Sequence, residues 1–327
     1  MDQQRLVLRV GAGAILCAVA LRLGSGLFSP MAEVFSQPEA ASLLLYLETG
    51  RILRPVPEPV TDASTPTEIQ EEPSQTLPSF TVEEAAQLSI RYNCAYEPDI
   101  AALLTKPLDW ELTGEEPTVL ILHTHATESY TPAAGEEYEQ SSAFRTLDEG
   151  YNMVSIGEEV TRLLENNGIS VIHDTTYHDY PSYSGSYAAA RDTIAGYLET
   201  YPGIRLILDL HRDAAETADG SQMTTAATFG SRDSAQLMLV LGSDAGGLTH
   251  PNWQENLSLG LKLQAILERE NPGICRSMNF CDSRYNQDLL PGALLVEVGA
   301  AGNTHAEALA AAEALAQAIL TLSHGTR

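Results

Sequence analysis

Basic residues are scarce in this chain: 18 Lys and Arg stand against 44 Asp and Glu, a formal charge of -26, and no Lys/Arg cluster interrupts the acidity. Nucleic-acid binders neutralise phosphates and release counterions, whereas an acidic excess repels them, so a DNA- or RNA-binding role is excluded. Cysteine is sparse as well, with four in 327 residues and no C-x-x-C. That leaves no basis for a disulfide miniprotein, a zinc knuckle or a thioredoxin-like centre. No G-x-S-x-G occurs, so an α/β serine hydrolase would lack its nucleophile elbow. The glycine-rich GSDAGG at 242–247 follows an apolar run as a phosphate loop would, but no Lys-Ser/Thr comes after it, and a tight turn is expected instead. There is no internal repeat.

What is present suffices for a real core, since 44% of the residues are hydrophobic and the length fits one large or two modest domains. Arg5 and Arg9 precede the weakly apolar run VGAGAILCAVAL, which continues past Arg22 towards Phe28. A span of ~20 mainly apolar residues is reached only by including Arg22, placed where it can snorkel. Residues 1–30 are therefore read as a signal-anchor that puts the rest of the chain outside the cytoplasm, with a cleaved signal peptide as the second reading. Cys17 lies in this segment; Cys94, Cys275 and Cys281 lie beyond it, an odd number, and Cys275 and Cys281 can pair only if their backbones converge.

Residues 31–80 form a linker region whose later part, RPVPEPVTDASTPTEIQEEPSQTLPSF, is rich in Pro, Glu, Ser and Thr and has no apolar period. Such a stretch cannot bury enough surface to offset ordering entropy. Residues 81–117 carry short helical patterns, opened by a capping box of Thr81 and Glu84, and are expected to dock on the main domain at 118–327. In that domain strand-like runs (TVLIL, ISVIH, IRLILDL, TAATF, LMLVLG, ALLVEVG) alternate with helical ones at 152–166, 186–200, 253–269 and after a second capping box, Thr304 and Glu307. Continuous Val/Ile/Leu runs are those of parallel strands covered on both faces, so the fold class is α/β: three layers, a mainly parallel sheet with helices on both faces.

Ligands in open α/β sheets gather beyond the carboxyl ends of strands, and three such ends here are loaded with polar groups. TVLIL is followed by HTHATES, IRLILDL by HRD, and ALLV by Glu297 between two valines. A hydrolytic zinc takes about three nitrogen and oxygen ligands and leaves a position for water. His125 and His211 supply two. The third is Glu128, three residues after His125 in the H-x-x-E spacing of zinc carboxypeptidases, or Asp148, four residues before the helix at Asn152, where it would otherwise cap that helix. A carboxylate buried in a strand is costly unless satisfied. Beside a metal site, Glu297 could take a proton from water and return it to a leaving nitrogen; its structural alternative is a salt bridge with Arg212 or Arg284. His123 is assigned a supporting or substrate contact. Asp209, His211 and Asp213 should share one side of a strand, so that a carboxylate orients the imidazole, with Arg212 nearby. Tyr177, Tyr180, Tyr183 and Tyr187 form an aromatic loop suited to packing or to stacking on sugar or peptide.

HTHATESYTP at 123–132, VIHDTTYHDYPSYSGSY at 171–187, DLHRDA at 209–214, AGGLTHPNWQENL at 245–257 and YNQDLLPGALLVEVGAAGNT at 285–304 resemble, in order, the stage II sporulation protein P family. The anchor and linker suit that family's layout. The resemblance implies a zinc-dependent peptidoglycan hydrolase of endospore formers, an N-acetylmuramoyl-L-alanine amidase with an endopeptidase activity also attributed to the family. It implies action with stage II sporulation protein D and the engulfment machinery in septal wall thinning, at the septal membrane of the mother cell. The broader zinc amidase pattern would assign His125, Asp148 and His211 to the metal and Glu297 to catalysis. It has Glu where this chain has Asp148, and a glycine-rich loop where this chain has HTHATES. The competing expectations are a zinc carboxypeptidase-like peptidase using His125, Glu128 and His211, and a wall-binding scaffold without activity.

Overall fold

This computed structural model describes residues 78–108 and 111–324, all within a unit that spans Glu71–Arg327. The anchor expected at 1–30 lies outside the described residues, as does nearly all of the 31–80 linker. The described chain opens with α1 (Val82–Ala85), where the Thr81 hydroxyl accepts from the Glu84 N–H and the Glu84 carboxylate accepts from the Thr81 N–H, the expected capping box. Next come β1 (Ile90–Asn93) and α2 (Ile100–Thr105), started by the Asp99 carboxylate on the Ala102 N–H. The segment 81–117 thus contributes a strand as well as helices. IRYN is short, mostly exposed and without an apolar run, which is why no periodicity betrays it.

The remaining elements are β2 (Val119–Leu122), α3 (Met153–Glu165), β3 (Val171–His173), α4 (Ser186–Thr200), β4 (Leu206–Asp213), β5 (Ala227–Phe229), β6 (Arg232–Ser234), β7 (Leu237–Leu241), α5 (Trp253–Glu270), β8 (Met278–Cys281), a 3-10 turn (Gln287–Leu289), β9 (Ala293–Ala300) and α6 (His305–His324). The described strands form a seven-stranded sheet in the order β1-β8-β7-β9-β4-β2-β3. Every neighbouring pair is parallel except β7 and β9. The sheet is therefore mixed and mainly parallel. TAATF, expected among its strands, instead forms β5 in a separate antiparallel hairpin with β6.

Successive side chains of a strand point to opposite faces, and β2 shows what covers each. Val119 and Ile121 pack into the large core with Ile156 and Val160 of α3 and with Leu315 and Ile319 of α6. Leu120 and Leu122 pack on the other face with Ala190 and Ile194 of α4. In α3, Met153, Ile156, Val160 and Leu164 make the buried stripe of an amphipathic helix. The last helix is long and apolar enough to cross a membrane, but it is a core element here, with Ala308, Ala311, Ala312 and Leu315 fully buried. Thr304 and Glu307 form its capping box. Cys94, Cys275 and Cys281 are free thiols, so Cys275 and Cys281 are not joined. The 242–247 turn fits tightly against its neighbour: a Cβ on Gly242 would lie 2.1 Å from the Ser283 carbonyl oxygen.

Candidate metal centre

β2 ends at Leu122, and the next eight residues, His123 to Tyr130, are all buried. Polar residues survive there because each is held. The Thr124 N–H and hydroxyl donate to the two oxygens of Asp209, Thr127 donates to Asp179, and the Ser129 N–H donates to the Phe144 carbonyl. The Glu128 N–H closes a turn on the His125 carbonyl. That turn carries the residues of H-x-x-E on the same side, with Nδ1 of His125 3.7 Å from Oε1 of Glu128.

The neighbouring strand supplies the second imidazole. His211 on β4 places Nδ1 3.5 Å from Oε2 of Glu128 and Nε2 2.9 Å from Oδ1 of Asp209. Nε2 of His125 is hydrogen-bonded to the Ser186 hydroxyl at 3.0 Å. Both rings thus direct Nδ1 at one carboxylate; Nε2 of His125 is held by Ser186, while Nε2 of His211 lies at ion-pair distance from Asp209 without an aligned hydrogen bond, a placing of outer groups that orients imidazoles on a metal. One donor atom from each of His125, Glu128 and His211 lies within 4.8 Å of the others, and all three residues are buried. This donor set of two imidazoles and a carboxylate suits a divalent ion such as zinc.

The charge state points the same way. Burial works against a charged His211, yet flanking Asp209 and Glu128 pull its pKa well above the ordinary value. Burial likewise opposes the Glu128 carboxylate, but His211 and Arg212 outweigh it and hold its pKa at about 2. His125 is pushed down to about 4, mainly by burial, and stays a neutral ring. The pocket thus demands positive charge between two carboxylates, which a proton on His211 or a bound cation can supply. Arg145 contributes too, with NH2 3.1 Å from Glu128 and NH1 2.6 Å from Asp179.

Glu297 sits beside this group. β4 and β9 are parallel and pair His211 with Glu297, so the two side chains leave the same face. Oε2 of Glu297 is enclosed and has no hydrogen-bond partner. Burial above all, with the charges of Glu128 and Asp213 adding to it, raises its pKa to about 8. The salt bridges to Arg212 or Arg284 are not formed. The Arg212 backbone N–H and guanidinium go instead to Glu128, Ser129 and Phe144, and Arg284 pairs with Asp288.

Two expectations need correction. Asp148 is exposed, and its carboxylate accepts from the Gly150 N–H in a local turn while Asn152 caps α3; the structure does not bring it to the cluster. His123 is also apart. The strand stops before it, and the ring closes on His173 with Nε2 to Nε2 at 2.9 Å instead of meeting the cluster. Its Nδ1 lies 3.0 Å from the Leu210 carbonyl, which only accepts, so Nδ1 carries the proton and His173 donates. The extra residue of the register shift beyond His211 lies on β9, so Asp213 keeps its side of β4; it lines the cleft of Glu297 and pairs with Arg276 at 2.7 Å. Asp209 is placed as expected, behind His211.

The aromatic loop divides. Tyr183 stacks on His125 with ring centroids 4.5 Å apart, and Tyr187 stands edge-on to His125 and parallel to His211. Tyr177 instead takes a hydrogen bond from Asn152, and Tyr180 is exposed. Sequence reasoning missed Arg145, Asp179 and Ser186, whose partners are 17 to 61 residues away along the chain. No local spacing signals them.

Comparison with known proteins adds a family. A profile described as Stage II sporulation protein P matches residues 56–320. A curated relative, the stage II sporulation protein P of Bacillus subtilis (strain 168), is 29% identical over 219 residues, covering 63% of this chain and 51% of its own length. The chain spans about half the length of that relative. Among solved structures, it is similar to the N-acetylmuramoyl-L-alanine amidase AmiC2 of Nostoc punctiforme, with TM-score 0.37 and 12% identity over 63% of this chain and 97% of that one. For the amidase Ami1 of Mycobacterium smegmatis the values are 0.38 and 11%, over 67% and 100%.

Proposed function

We propose that this chain, which belongs to the stage II sporulation protein P family, is a zinc-dependent peptidoglycan hydrolase that cuts the amide between N-acetylmuramic acid and L-alanine. The observation that carries the reading is the buried grouping of His125, Glu128 and His211 with the unpartnered Oε2 of Glu297 in register beside it. On the family's account it is tethered to the membrane through residues 1–30 and works with stage II sporulation protein D at the septal wall.

His125, Glu128 and His211 would hold the metal, with Ser186 and Asp209 fixing the two rings. Zinc in such a site polarises a carbonyl and lowers the pKa of water towards ~7. Glu297 is suited to the proton: its enclosed Oε2 has no partner and stands in register with His211, so it can take a proton from water as a general base and return it as an acid to the leaving nitrogen, with the cation offsetting the burial that raises its pKa. Tyr183 and Tyr187 wall the rings and limit water around them.

One observation favours a second reading. The third member of the grouping is Glu128, in the H-x-x-E arrangement that the peptidase alternative requires. Mass analysis of peptidoglycan digested by the zinc-loaded chain separates the two. Glycan strands freed of whole stem peptides are expected, and shortened stems would make the enzyme a peptidase. Chelation should stop either. Wall binding with no clearing, with or without chelator, would reduce the protein to a scaffold.

A further inference from the structure

We propose that the cleft running from Glu297 across β9, β7 and β8 to Arg91 binds an acidic peptide segment in extended form, with a carboxylate on the Arg91 guanidinium. This rests on the hydrolytic reading only in placing the scissile amide at Glu297. The cleft, of about 260 Å³, has Glu297 at one end and Arg91 at the other, with Tyr187, Tyr285, Asn279 and the neutralised Asp213–Arg276 ion pair along its sides.

Register fixes the direction of this cleft. Arg91 pairs with Asn279, Asn279 with Val240, and Val240 with Leu295, so these four side chains line one face of the sheet. Glu297 lies two residues on from Leu295 and leaves the same face. Beneath the cleft, Met238, Val240 and Leu295 form a small apolar cluster with Tyr285 and Cys281 and no helical residue, in contrast with the β2 side, which α4 covers. The result is an apolar floor with polar ends, the form of a peptide groove.

Length and charge then select the occupant. Three inter-strand steps of about 4.8 Å separate β9 from β1, roughly 14 Å in all. An extended chain covers ~3.3–3.6 Å per residue, so about four residues reach from Glu297 to Arg91. Arg91 is also distinctive among the cations. Every other described Lys and Arg side chain has a hydrogen bond or ion pair, down to the buried Lys262 and the surface Arg205. Arg91 has neither among the described residues. In a chain with 44 acidic residues, an arginine left free at the end of a cleft is available for an anionic group brought by a ligand.

Binding of synthetic N-acyl peptides to the full chain, followed by calorimetry, tests this apart from turnover. The probes are a tetrapeptide with a terminal carboxylate, the same tetrapeptide as its amide, and a dipeptide acid too short to reach. Arg91→Ala should weaken the tetrapeptide acid about tenfold and change the other two less than twofold; Arg91→Glu should weaken it further. An unchanged Kd for the tetrapeptide acid, or an equal loss for acid and amide, overturns the proposal. Cleavage of peptidoglycan by a chain whose peptide affinity ignores Arg91 would remove this subsite and leave the hydrolase intact. The Arg91 effect in a chain that cleaves nothing would do the reverse.

Discussion

His123 and His173 use their facing nitrogens on each other and the remaining Nδ1 of His123 on a backbone carbonyl, whereas His125 and His211 turn both Nδ1 atoms towards a single carboxylate. The two pairs begin two residues apart, at the end of the same strand, and their rings are buried except for the half-buried His173. The first is chemically closed: each ring is neutral, its pKa lowered to about 3 for His123 and about 4 for His173, chiefly by burial. The second is open and surrounded by carboxylates that call for a cation. What distinguishes a structural histidine from a ligand is where its hydrogen bonds go. Burial alone does not separate them.

The comparison breaks most sharply if ligands are removed. Glu128→Ala and His211→Ala should each lower zinc affinity more than ~100-fold, a larger effect than the 10–100-fold typical of residues that merely support a ligand. Asp148→Ala should retain zinc within about twofold. Elemental analysis after dialysis against zinc, with circular dichroism to check folding, reads all three. Loss of zinc from the Asp148 variant would return that residue to the centre.

That contrast also marks how far the sequence could be read. His125, His211 and Glu297 were legible because each closes an apolar strand, and strand ends are where such sheets place ligands. The choice between Glu128 and Asp148 was not, since both spacings are compatible with a shared metal. Only the buried turn from His123 to Tyr130 decides which carboxylate faces inward. The helices at α3 and α4 follow their apolar periods, but β1 is too short and polar, and β8 too short, to show one. The reversed direction of β7 against β9 leaves no trace in composition, because a covered strand reads as a continuous apolar run whichever way it points.

Glu297→Gln sharpens the open side. It should keep the metal and the fold while lowering hydrolysis ~10²–10⁴-fold, the range for loss of a positioned acid-base group. Measured turnover of peptidoglycan beside measured zinc content would separate it from the ligand variants, and full activity would remove Glu297 from the chemistry. Gly157→Ala attacks the closed side. A Cβ there would stand 2.4 Å from Nε2 of His173 and 2.6 Å from Nε2 of His123. The helix-propensity gain of ~1 kcal/mol should be outweighed by overpacking, for a net loss of about 1–3 kcal/mol in urea unfolding, with zinc binding retained.

The smallest expected effect concerns pH. His173 titrates near 4 in the folded chain and near 6.5 when unfolded, so above pH 6.5 both states are neutral and its contribution to stability is fully present. As pH falls below 6.5 the unfolded state takes up a proton that the folded state refuses, and stability drains until the folded ring protonates near pH 4. Any one group can contribute at most ~1.4 kcal/mol per pH unit, and for the partly buried His173 roughly half of that is expected. His173→Gln, whose amide N–H can still donate to His123, should therefore flatten the slope of unfolding free energy between pH 6.5 and 4 without changing stability much at pH 8. An unaltered slope would mean that the closed pair does not exclude protons at His173, and the distinction between a closed and an open pair would then rest on His123 alone.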